Sequence, residues 1–397
     1  MMSDSITSTK VLIIGGGPAG SSCAIKLRKL GIDCVLAEKA RFPRVKLCGG
    51  MMTLKTKKAL RDLLGDDCYE SLLSESRVSV LHSFTIYQKL EKKVSCNPKE
   101  PMELLDRPKM DYFLFKHAAS LGCATFDGDA LSTIDFKEKI ATFVSGKQIK
   151  YEYLVAADGA SSHVERLLRR HDSHFKPKNK CAAIVELDIK VEDIDVEDTV
   201  GIYFGIVPCF YSWVFPKGNT VSIGLGKPHD KNYNMKAELR KFMQLLGVRN
   251  MDSYEIRGCM LPMRSMLKKS VWCNHVFFVG DAAGLVDPLT GEGICYAIAS
   301  GSEAANAMSM IITKSGDGTA MYEKALLPMK SIIRKAEIIQ RAFSYSFILD
   351  IVCKRAKKRL GFMNFFYDEF VDKGVDESYF QLKRRWRKIE NGRTAVK

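Results

Sequence analysis

Three glycines near the start of the chain have the spacing that brings a backbone against a pyrophosphate. Gly15, Gly17 and Gly20 stand in G-x-G-x-x-G order, and Glu38 follows. The first glycine lets the chain turn sharply, the second admits the phosphates, and the third lets a helix pack close to a sheet. Pro18 and Ala19 lie in the first helical turn, where proline needs no N–H donor. Free N–H groups and the positive end of the helix dipole would face the phosphates there. Glu38 can accept hydrogen bonds from the adenosine ribose, and Lys39 beside it is counted in the same site. The elements needed to hold these residues are present. Val11–Ile14 is an apolar run short enough for a buried parallel strand. Ala24, Ile25, Leu27 and Leu30 share one side of a helix that Gly31 ends, and Cys34–Ala37 is the second strand of a β-α-β unit.

Later stretches could serve the same ligand. An apolar strand, Val276–Val279, ends at Gly280 and Asp281. Asp281 could bond a ribityl chain. Beyond it, Gly291-Glu292-Gly293 precedes a long helix from about 294 to 312, whose N-terminus could stabilise negative charge. A second strand, Tyr153–Ala157, stops at Asp158-Gly159. This pair is a turn by default, and after a dinucleotide fold it becomes a second backbone approach to the cofactor. Arg107 precedes a helix expected over 112–121; it either meets a phosphate or flavin edge or belongs to a plain capping loop. Cys48, Gly49 and Gly50 close a basic loop just past the second strand, and the glycines would let backbone N–H groups approach a flat ligand.

Between these lies a different texture. Segments 78–94, 182–189 and 201–207 have strand character. Tyr211, Trp213 and Phe215 alternate along a strand that turns at 217–219 into 220–226, so all three point to one face. That face is either core or the wall of an apolar ligand site.

The 397 residues suffice for two or three domains, and 46% hydrophobic residues allow a large core. The polar N-terminus shows no signal peptide. The most apolar long stretch, 276–299, carries Asp281, Asp287 and Glu292, against a membrane span. Twelve cysteines without a C-x-x-C pair indicate reduced thiols in a cytoplasmic protein, with no metal site. Net charge is +15, and Lys354–Lys397 alone holds 13 Lys/Arg against 6 Asp/Glu. This is either a solvated helical tail or a contact with the inner, anionic face of a membrane. No nucleic-acid motif accompanies it. Phe362, Phe365, Phe366, Tyr367 and Phe370 cluster beside the basic runs.

The glycine fingerprint with Glu38, Asp158-Gly159 and Gly280-Asp281 resembles the hydroxybenzoate-hydroxylase class of FAD proteins. Within that class, KLCGG at 46–50 and YSWVFPK at 211–217 resemble the geranylgeranyl reductase family. The resemblance spans about 10–300. It implies an α/β fold, α+β overall: a Rossmann-like FAD-binding domain, an inserted antiparallel β-sheet substrate domain and a helical C-terminal region. The corresponding partition is 1–77, 103–180 and 270–325 for FAD, 78–102 and 181–269 for substrate, and 326–397 for the basic helical region. The resemblance also implies Cys48 near the flavin ring as the catalytic-site thiol. Tyr211, Trp213 and Phe215 would line the tunnel for an isoprenoid chain carried by a lipid, a quinone or a chlorophyll-type substrate. Electrons would come from transiently bound NAD(P)H or from a small redox protein.

Such an enzyme delivers hydride to one alkene carbon and a proton to the other. An isolated alkene cannot stabilise a carbanion, so protonation runs with or ahead of hydride transfer and needs a dry site. An ordinary thiol, with pKa about 8.5, is a poor acid for this step, so Cys48 would position flavin or substrate. Two rivals remain open: an FAD monooxygenase of an aromatic or apolar substrate, and a non-catalytic prenyl-lipid escort. The W-x-W-x-I-P pattern of flavin halogenases is absent, and the intact fingerprint speaks against the escort.

Overall fold

The computed structural model describes residues 7–88, 90–176, 181–263 and 265–343, together with 351 and 354. The first element is the β-α-β unit: β1 (Thr7–Ile14), α1 (Pro18–Lys29) and β2 (Cys34–Glu38). The chain then forms β3 (Met51–Met52), α2 (Leu54–Leu64) and α3 (Asp66–Ser76). Four strands follow, β4 (Arg77–Leu81), β5 (Phe84–Gln88), β6 (Glu91–Cys96) and β7 (Met102–Leu105). Next come α4 (Arg107–Ser120), β8 (Ala124–Asp127), β9 (Leu131–Asp135), β10 (Ile140–Phe143), β11 (Gln148–Ala156) and α5 (His163–His171). The second excursion holds β12 (Ala182–Lys190), β13 (Val200–Phe204), β14 (Tyr211–Lys217), β15 (Thr220–Pro228), α6 (Met235–Leu245) and β16 (Arg257–Leu261). The chain returns through β17 (Val271–Trp272), β18 (Val276–Phe278), α7 (Ile294–Ile312) and α8 (Gly318–Phe343).

Among the described residues three sheets form. The first has the order β17-β18-β11-β1-β2-β8, with β10 and β9 added beside β11. Its central pairs are parallel, Val11 opposite both Cys34 and Tyr153. Such strands are covered on both faces and are apolar throughout; Val11, Leu12, Ile13, Leu154 and Val155 are fully buried.

The second sheet has the order β16-β12-β15-β14-β13-β5-β6. Its pairs are antiparallel except β13–β5, which is parallel. One face, with Val185, Leu187, Val214, Ile223 and Leu225, packs on Leu239, Phe242 and Met243 of α6. The other presents Ile86, Ile184, Ile202, Trp213 and Phe215. Strands β3, β7 and β4 make a third, small sheet. The single alternating run expected over 78–94 is therefore broken at His82-Ser83, where the chain leaves one sheet for another. The helix expected from 112 begins at Arg107, because Asp106 accepts from the Lys109 N–H and caps it there. The basic run and aromatic cluster beyond Lys354 lie outside the described residues.

Helix α1 crosses α7 with backbones nearly touching. A Cβ on Gly301 would lie 2.2 Å from the Ala19 carbonyl oxygen, and Ser300 Oγ accepts from the Gly280 N–H at 2.9 Å. Gly301→Val should cost at least about 3 kcal/mol, because overpacking here meets backbone rather than a movable side chain. Urea unfolding of the purified protein measures it.

Candidate active site

The N-termini of α1 and α7 open on the same region. At α1, the carbonyl of Gly15 lies 1.9 Å from where a Cβ on Gly20 would stand, so no larger residue fits. Gly17 differs: a Cβ there would meet only Arg44 Nη2, at 3.3 Å. The space above Gly17 is a cradle with a guanidinium at its edge, the arrangement a pyrophosphate requires. Glu38 ends β2 beside it. Its Oε2 accepts from the Gly16 N–H at 2.9 Å and its Oε1 from Ala40 at 3.1 Å. Lys39 is exposed.

Arg44 joins two carboxylates, with Nε 3.3 Å from Glu38 Oε2 and Nη2 3.3 Å from Asp111 Oδ2. Asp111 also accepts both arms of Arg107, one turn earlier on α4, at 3.0 and 3.2 Å. Burial works against the charge on Arg107, but Asp111 and then Cys48 outweigh it and hold the guanidinium charged. Cys48 thus lies beside Arg107, and its sulfur accepts from the Gly50 N–H at 3.4 Å. Asp111 is a site residue the sequence reading passed over. Its i,i+4 spacing from Arg107 was the available signal. Arg44, read only as one of several basic loop residues, is the second.

At the other edge, Asp281 Oδ1 stands 3.1 Å from where a Cβ on Gly293 would be. Glu292, between the two glycines, is engaged. Its Oε1 accepts from Thr53 and Thr56, each at 2.7 Å, and its Oε2 lies 2.6 Å from Lys55 Nζ. Burial opposes the charge on Lys55, but Glu292 and Asp287 hold it protonated. Asp158 uses Oδ2 to accept from His163 and Val164 at the start of α5, while its Oδ1 is buried with no hydrogen-bond partner. Gly159 has φ of +83°, the turn conformation expected after it.

The aromatic strand closes the region from the second sheet. A Cβ on Gly49 would lie 2.6 Å from the Phe215 ring and 3.6 Å from Trp213 Nε1. Tyr211 donates to the Thr290 carbonyl, next to Gly291. The structure therefore brings Cys48, Gly49, Arg107, Tyr211, Trp213, Phe215 and Gly291 into one neighbourhood, joined to Gly17, Glu38 and Arg44 through Asp111, with Gly293 beside Asp281. The open cradle, the paired guanidiniums and the two helix N-termini fit FAD.

A family model described as FAD binding domain matches residues 8–329. A geranylgeranyl diphosphate reductase of Rhodobacter capsulatus is 30% identical over 328 residues, covering 77% of this chain and 75% of that one. The chain belongs to the geranylgeranyl reductase family. It is an FAD-dependent oxidoreductase of the type that acts on CH–CH groups. A digeranylgeranylglycerophospholipid reductase of Thermoplasma acidophilum is 27% identical over 400 residues, 92% of this chain and 90% of the relative. The fold is shared with a solved geranylgeranyl bacteriochlorophyll reductase-like protein of the same organism, with a TM-score of 0.77 at 22% identity, over 96% of this chain and 99% of the other.

Two substitutions separate cofactor from scaffold. Gly17→Val should purify without FAD yet unfold near the urea midpoint of wild-type apoprotein, because its side chain enters the cradle and meets only the movable end of Arg44. Asp111→Asn should lower apoprotein stability by about 3 kcal/mol, because it leaves two buried guanidiniums short of their shared carboxylate. Visible absorbance and urea unfolding report the two outcomes.

Proposed function

We propose that the protein saturates C=C bonds of a geranylgeranyl-type isoprenoid chain carried on a lipid, a quinone or a similar substrate. The observation that carries this reading is the apolar, aromatic sheet face, with Tyr211, Trp213 and Phe215 against the Cys48-Gly49-Gly50 loop. A linear hydrocarbon has no group to pair with polar side chains, and its binding must come from buried apolar area. FAD, when bound, supplies the hydride equivalent. Gly15, Gly17, Pro18, Ala19 and Gly20 hold its phosphates with Arg44, and Glu38 takes the ribose. Asp158-Gly159 and Gly280-Asp281 flank its middle. Gly291 and Gly293, with the N-terminus of α7, favour negative charge on the reduced ring. Cys48 and Arg107 border the ring and position it against the substrate. The substrate wall belongs to a unit assigned to 78–102 and 181–269.

NAD(P)H or a small redox protein supplies electrons. No helix among the described residues is long and apolar enough to cross a membrane. The basic segment 354–397 would bring the enzyme to the anionic, cytoplasmic face of a membrane, where long-chain lipids reside.

The test is anaerobic. The flavoprotein is reduced with dithionite and mixed with a geranylgeranyl lipid. Flavin reoxidation with a gain of two hydrogens per bond is expected by absorbance and mass spectrometry. Reoxidation only on admission of air, with peroxide or a hydroxylated product, would instead favour a monooxygenase.

A further inference from the structure

The aromatic face contains one carboxylate in its middle. Glu186 sits on β12 in the otherwise apolar run 182–187, opposite Gly224 of β15, which is opposite Trp213 of β14. Directly opposed residues of antiparallel strands share a face, so Glu186 lies on the Trp213 side and not on the α6 side. Gly224 has no side chain, and the indole lies over it: a Cβ there would stand 2.1 Å from the ring. The missing side chain at Gly224 leaves the indole as the residue next to Glu186 on this face.

Glu186 is only 5% exposed, and its Oε2 is buried with no hydrogen-bond partner. A buried carboxylate without a full set of donors is costly as an anion. Burial pushes its pKa up to about 7, against the pull of Lys217, of the Cys48 backbone N–H and of Lys46; Asp188 pushes it further up. On the neighbouring β16, Arg257 stands directly opposite Glu186 but is exposed and paired with Glu255, and burial raises the Cys259 thiol to about 11. Two other groups that carry a dissociable proton near the loop are engaged. Glu292 is held by Lys55 and two threonines, and the Tyr211 hydroxyl donates to a carbonyl and is pushed up by burial.

We propose that Glu186 is the acid that protonates the substrate double bond. The inference rests on the reading of the protein as an isoprenoid reductase. The O–H bond of the carboxyl breaks, and the π pair of the alkene forms the new C–H bond. The adjacent carbon takes the hydride equivalent from the reduced flavin, and water reprotonates the carboxylate. Cationic character on that adjacent carbon is stabilised by the faces of Trp213 and Tyr211. Glu186 must be neutral to act, so the rate falls as pH rises through 7, by about tenfold per unit beyond it.

The test compares wild type, Glu186→Gln, Glu186→Asp and Lys217→Met as full-length flavoproteins. Glu186→Gln should keep its FAD and its reduction by dithionite, and should lose at least about 100-fold in anaerobic reoxidation by a geranylgeranyl lipid. Glu186→Asp should recover part of the rate. Lys217→Met, which removes a nearby positive charge, should move the pH limb upward. Difference infrared spectra of the resting protein give a readout without turnover: a protonated carboxyl band that titrates between about pH 6 and 8 and is missing in Glu186→Gln. Wild-type reoxidation rates in Glu186→Gln, or no such band, would overturn the assignment and leave the reductase reading intact. A wild type that reduces no isoprenoid while its infrared band titrates would overturn the reading itself, and the role of Glu186 with it.

Discussion

The near-contact of α1 and α7 governs the geometry of this protein. Helices pack this closely only where side chains are absent or minimal, and here Gly301 meets the Ala19 carbonyl while Ser300 binds the Gly280 N–H. The consequence is electrostatic. Two helix N-termini, each with unpaired N–H groups, are brought to one region. In the proposed function the first serves phosphates and the second the far end of the same ligand. A looser crossing would shift one end of the site relative to the other, and no loop adjustment could restore both.

The positive ends are balanced by buried acids rather than by solvent. Arg44, Arg107, Glu38 and Asp111 form one connected set, and Lys55 with Glu292 forms another. Each buried charge is offset by a partner at hydrogen-bonding distance, as burial demands. Glu186 stands apart from both sets. The cations around it are shared with other acids, Lys217 with Asp188 at 3.6 Å and Arg257, opposite it on β16, with Glu255, so burial prevails and raises its pKa to about 7.

Much of the β-α-β unit at the candidate nucleotide end was legible in the sequence because its parts are contiguous. A strand, a glycine turn, a helix and a second strand within 7–38 leave few alternatives. The strand–turn–helix at 276–312 was legible for the same reason. Asp111, Arg44 and Glu186 were not, because their meaning depends on partners far along the chain. Glu186 did leave a trace, a single acid inside an apolar strand. The alternation through 78–94 suggested one strand because period-two patterning does not say which sheet a strand enters. The capping role of Asp106 started α4 earlier than its apolar pattern did.

The second sheet is assembled from two excursions that lie far apart in sequence. Strand β13 has β5 as its parallel neighbour, and β5 with β6 comes from the first excursion. The chain therefore passes between the sheets before β5, after β6, before β12 and after β16. Exchange of chain lengths between relatives must respect this weave. A chimaera that inherits only 181–263 from another parent would seat foreign strands against a resident β5, and any mismatch would bare the row of backbone donors and acceptors along β13. Viable recombinants must carry both segments together, so residues 84–96 and 181–263 are expected to be inherited as one block.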